Sequence, residues 1–155
     1  MMKGIKMKLT VILLSALVLT LTGCVTDKHT YKESPQKIFE AVNAKYPAER
    51  NTLVFIDAPN GFVAPRLANC AVEQGVDNGK VVAITSALAL KTSTVIVAGE
   101  DESLTGTTVA KALANNKEKI SGSKLIVIGA KETKQKLTDL ATYNDVAIEF
   151  IDTPT

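Results

Sequence analysis

The sequence has no Trp, one His, two Cys and only 5% aromatic residues in 155 positions. Two cysteines are too few for a disulfide scaffold, and with one histidine they cannot close a four-ligand Cys/His zinc site. The single histidine, His29, lies in a polar stretch that defines no pocket, so Ser-His-Asp and Cys-His catalysis have no base to use. Glycine-built phosphate sites are missing as well. Gly99 and Gly129 each stand alone, Gly122-Ser123-Lys124 precedes an apolar run where a P-loop would follow one, and no Gly-x-Ser-x-Gly elbow occurs. No catalytic residue, metal ligand set or cofactor motif is therefore assigned.

Charge of one sign is lacking too. The 18 Lys+Arg face 16 Asp+Glu, a formal +2, which is too small for the footprint of a nucleic-acid binder. Lys117, Lys119, Lys131, Lys134 and Lys136 alternate with acids and lack interleaved aromatics, the pattern of solvated helix faces. What is present is a globular balance, 46% hydrophobic and 22% charged, at a length that suits one domain.

The first residues differ from the rest. Lys3, Lys6 and Lys8 are followed by Leu9 to Leu21, an apolar run interrupted only by Thr10, Ser15 and Thr20. As a helix that run reaches roughly 20 Å, short of the ~30 Å hydrocarbon core of a bilayer. A basic start, a short apolar run and small residues after it describe an export signal, not a membrane span. Leu21-Thr22-Gly23-Cys24 follows directly.

This segment resembles the lipobox of bacterial prolipoproteins. The resemblance covers residues 1 to 24 and does not extend to the fold downstream. It implies removal of residues 1–23 by cleavage between Gly23 and Cys24, S-diacylglycerol on the Cys24 sulfur and N-acylation of the new terminus. The match is residue by residue: Leu21 three places before the cut, small Thr22 and Gly23 next, then the cysteine. The chemistry requires these types, because a thiol forms the thioether and small residues let a peptidase reach the backbone. An ordinary secretory signal that contains Gly-Cys is the alternative. The implied covalent lipid is the only prosthetic group expected. One acyl chain holds a bilayer marginally, and each further buried methylene adds about 0.8 kcal/mol, so two or three chains anchor the protein without a spanning helix. The resemblance also bears on location. In Gram-negative lipoproteins an Asp after the lipidated cysteine favours inner-membrane retention. Val25 stands there, with Thr26 and then Asp27, which favours the outer membrane facing the periplasm. In a Gram-positive cell the anchor would hold the extracellular face of the cell membrane. Residues 24–34 then form the lipidated cysteine and a polar tether, and residues 25–34 span at most about 33–36 Å. The folded part should sit close to its membrane. Without residues 1–23, which carry three lysines and no acid, the formal +2 becomes −1.

Residues 35–155 read as a single α/β domain: a mostly parallel sheet of about five strands flanked by about four helices, with one antiparallel edge left open. Leu53–Asp57, Val95–Gly99 and Leu125–Gly129 are near-continuous apolar runs, each followed by a polar loop and an amphipathic helix. Such runs suit strands covered on both faces. Val81–Ile84 reads as a further strand and Val146–Ile151 as the last. Residues 86–93 read as a short helix or part of a hairpin. Helices are expected from Ser34-Pro35 to Tyr46, over Val63–Ala71 with a stop near Gly75, over Leu104–Ile120 and around Leu137–Ala141.

In a parallel sheet the default ligand crevice lies at the strand carboxyl ends. The candidate rim there is Asp57, Asn60, Asp101 and Asp152, with Thr85 after the Val81–Ile84 run. Gathered together, the three aspartates would suit a divalent cation. Taken singly, they close strands, and Glu100-Asp101-Glu102-Ser103 makes a favourable acidic helix start. Cys70, with Cys24 lipidated, has no second cysteine in the chain, which suggests an intermolecular disulfide or a reactive thiol. A face shared with Val63, Leu67 and Ala71 suggests a small buried hydrophobe instead. Two function classes follow. One is an anchored envelope lipoprotein whose domain docks a protein partner in an envelope, secretion or conjugation assembly, without nucleic acid. The other is a ligand- or metal-binding lipoprotein, hydrolytic or not, working at the strand-end crevice.

Overall fold

The computed structural model describes residues 35–47, 50–60, 63–114 and 116–152. The expected signal, Gly23, Cys24 and the expected tether lie outside the described residues. Helix α1 (Pro35–Lys45) is followed by β1 (Asn51–Ile56), α2 (Ala64–Gln74), α3 (Gly79–Leu90), β2 (Thr94–Gly99) and α4 (Glu102–Leu113). Then come the single turn α5 (Lys117–Ile120), β3 (Lys124–Ile128), a 3-10 turn (Lys131–Thr133), α6 (Lys134–Tyr143) and β4 (Ala147–Ile151). The chain is α/β, with a four-stranded sheet in the order β1-β2-β3-β4 and every neighbouring pair parallel.

That order has a consequence. Each strand lies beside the next in sequence, and right-handed crossovers then put every connection on the same side of the sheet. One core forms there: Ile56, Val95, Val97, Leu125 and Val127 from the strands pack against Val72, Ile84, Leu88, Leu113 and Leu137 from the helices. The alternate residues point to the opposite face, where Ile96, Ala98, Ile126 and Ile128 meet Ile38 and Val42 of α1. Both faces are apolar because both are covered, which is why the strands read as unbroken apolar runs.

Helix α4 is the centre of the crossover side, with eight of its 12 residues buried. It packs close because its residues are small. A Cβ on Gly106 would collide with the Thr133 side chain, and one on Gly99 with the Thr105 hydroxyl. Asp101 starts the helix, its Oδ1 accepting from the Leu104 amide at 2.8 Å.

Three sequence expectations are corrected. Val81–Ile84 is not a strand but part of α3, so among the described residues the sheet has four strands, five helices of ten residues or more flank it, and no strand pair is antiparallel. Ile84, Ala87 and Leu88 are buried at helical spacing, and that packing outweighs the β-branched character of Val81, Val82 and Ile84. Leu104–Ile120 is two helices, because the chain extends at Ala114 and the Asn116 side chain donates to the Ala112 and Ala114 carbonyls. Finally, α2 turns Asn69 and Val72 inward, leaving Val63 and Leu67 exposed.

Candidate functional site

A sheet ordered β1-β2-β3-β4 has no point at which successive crossovers part to opposite faces, so the switch-point crevice of doubly wound folds has no counterpart. The candidate rim is spread accordingly. Asp57 follows β1 and Asp152 follows β4, the two edge strands, three strand spacings or about 14 Å apart. Asp57 pairs with Lys80 of α3 at 3.3 Å, and the same ammonium donates to the Phe55 carbonyl at 2.7 Å. Asp101 is occupied as the N-cap of α4, and beside it Glu100 accepts from the Ala58 amide at 2.9 Å. Asn60 and Asp152 are exposed. Thr85 lies inside α3 and donates to the Val81 and Ala112 carbonyls, away from any strand end. The structure therefore does not bring Asp57, Asp101 and Asp152 to one point. No group of three or more His, Cys, Asp or Glu suited to a metal ion occurs among the described residues.

The opposite end of the sheet differs in charge and shape. A cleft of about 240 Å³ opens at the strand amino ends, lined by Arg50, Lys91, Ser93, Thr94, Ser123 and Lys124 among others. A second of about 240 Å³ lies beside it, between Tyr46 and the starts of β3 and β4. Sequence reasoning missed this end. Its only trace is a polar or basic residue just ahead of each apolar run, and the convergence depends on register: Asn51 faces Thr94, and Thr94 faces Lys124. Ser123 is 2% exposed, and its Oγ has no hydrogen-bond partner among the described residues.

On the α1 side, Lys45 Nζ meets Glu149 Oε1 at 3.0 Å and the Tyr46 hydroxyl donates to the same carboxylate. The Tyr46 hydrogen bond, then that of Lys45, holds the Glu149 carboxyl below its usual range. Lys45 is held above its usual range by its bonds to Tyr46 and then Glu149. These three groups tie the end of α1 to the edge strand.

Cys70 is half-buried on α2. Its expected burial with Val63 and Leu67 is not what α2 does. Among the described residues no helix is long and apolar enough to cross a membrane. No family model matches the chain, and no curated protein or solved structure matches it significantly.

Proposed function

We propose that the chain is a lipid-anchored cell-envelope protein whose α/β domain serves as an interaction or accessory component of an envelope, secretion or conjugation assembly. Leu21-Thr22-Gly23-Cys24, placed directly after a basic start and a short apolar run, carries this reading. The outer membrane, facing the periplasm, is the location that Val25 and Thr26 favour by resemblance, or the extracellular face of the cell membrane in a Gram-positive cell. The Asp57–Asp101–Asp152 crevice gives no support to the competing hydrolytic or metal-binding reading, because those acids stand apart and two are already paired or capping.

Metabolic labelling with a palmitate analogue tests the anchor. Label should enter the wild-type chain and be absent from Cys24→Ala, which should accumulate with its signal uncut. Cys24 and Cys70 are the only cysteines, and a sulfur in a thioether cannot be half of a disulfide. The intact mass of protein extracted from membranes therefore separates the two states. A lipid-bearing mass supports the anchor, and an unlipidated, oxidised chain at full length overturns it. Crosslinking in living cells then tests the docking role through recovery of one envelope protein lost from the Cys24→Ala strain.

A further inference from the structure

The amino end of the sheet holds features that an anchored docking domain leaves unused. Because β1, β2 and β3 start in register, the preceding residues Arg50, Ser93 and Ser123 stand side by side, about 4.8 Å between neighbours. The cleft around them has three cations in its lining, Arg50, Lys91 and Lys124, and no carboxylate. Arg50 and Lys91 have no acid within ion-pair distance among the described residues. The same cleft is lined by the buried Ser123, whose hydroxyl has no partner among the described residues. Gathering like charges and leaving a buried hydroxyl unbonded both oppose folding, and an anion with several acceptor oxygens relieves both.

We propose that this cleft binds a phosphate group. Lys91 alone has a simpler origin, since it caps the carboxyl end of α3, where the helix dipole favours a cation. The dipole accounts for neither Arg50, which precedes a strand, nor Ser123. The arginine fork suits two phosphate oxygens at once, and Lys91 supplies a point charge for another. A cleft of about 240 Å³ also leaves room for whatever the phosphate is attached to. Two sources share this chemistry: a phospholipid headgroup and a soluble phosphate compound.

The test uses the purified full-length chain in a non-ionic detergent, titrated with inorganic phosphate or with a short-chain phosphatidylglycerol at constant ionic strength. Amide shifts at Ser123 and Lys124 should move saturably, with a dissociation constant of about 1 mM or lower for at least one probe. Tighter binding of the phosphatidylglycerol assigns the site to a headgroup, and tighter binding of inorganic phosphate assigns it to a soluble compound. The double variant Arg50→Ala, Lys91→Gly should weaken binding about tenfold or more. Lys91 adopts φ 55, so glycine there removes charge without straining the backbone. Ser123→Ala should melt higher than wild type without phosphate and gain less from adding it. Shifts no larger than those given by chloride, or binding undiminished in the double variant, overturn the proposal.

Discussion

The two faces of the sheet both bury apolar residues but are unequally held. On the crossover side every helix from α2 to α6 contributes, and α4 buries eight of its 12 residues. On the other side the described cover is α1, which buries Ile38 and Val42 and is tied at its end by Lys45, Tyr46 and Glu149. A sheet wound in one direction secures one face through its own connections. The second face must be supplied by a segment outside the crossovers, here the helix that leads in from the expected tether. Local stability should follow, with α1 opening below the free energy of global unfolding.

The largest expected contrast comes from matched truncations. Leu113, fully buried on α4, should cost about 2–5 kcal/mol of global stability when changed to Ala. Ile38→Ala should instead release α1, so that its amides exchange with solvent hydrogen far faster while those of α4 keep their protection. Equal loss of protection in both helices would show that the faces form one cooperative unit and end the comparison. Gly106→Ala comes next. The added Cβ meets Thr133, and the overpacking should cost about 1–3 kcal/mol, measured by denaturant midpoint. Pairing it with Thr133→Ala should recover part of that loss; no recovery would mean that the close approach of α4 to the 3-10 turn is not the reason for the glycine.

Asp101 gives a smaller effect that also bears on the carboxyl-end acids. As an N-cap, Asp101→Ala should cost about 1 kcal/mol, and Asp101→Asn should be close to neutral because the amide oxygen can accept the same bond. Equal destabilisation by both changes would point to a role for the charge itself.

How much of the molecule is legible in its sequence depends on the kind of information. The strands Thr94–Gly99 and Lys124–Ile128 could be read because an unbroken apolar run is what burial on both sheet faces demands. Residues 81–84 could not, since Val-Val-Ala-Ile fits a strand by residue type and a helix by the spacing of Ile84, Ala87 and Leu88, and only packing decides. Strand order was invisible, because the same β-loop-α grammar serves a sheet with a reversal and one without. That one unknown removed the expected crevice and parted Asp57 from Asp152. The acids themselves were visible as residues; their partners, Lys80 for Asp57 and the Leu104 amide for Asp101, were not. Cations at the other end escaped notice because Arg50, Lys91 and Lys124 are far apart in sequence and meet only through strand register.

The smallest effect sharpens the comparison most directly, because it acts on one face only. Glu149 ionises more readily in the folded chain, where the Tyr46 hydroxyl and then the Lys45 ammonium favour its charged form. A carboxyl lowered in this way contributes stability above its unfolded value of about 4.3, and the contribution is lost as pH falls through the folded value. Lys45 has the opposite sign. Its raised value contributes fully below the unfolded value of about 10.4 and is lost as pH climbs through the folded one. Between these limits the tie is constant, so α1 protection should be flat across neutral pH and fall only in acid or strong base. The pair is exposed, so the change should be modest and shrink with salt. In Glu149→Gln the acid-side dependence of α1 exchange should flatten while α4 is unaffected. Should the variant and wild type lose α1 protection along the same acid curve, the edge-strand tie is not what holds this helix, and Ile38 and Val42 hold it alone.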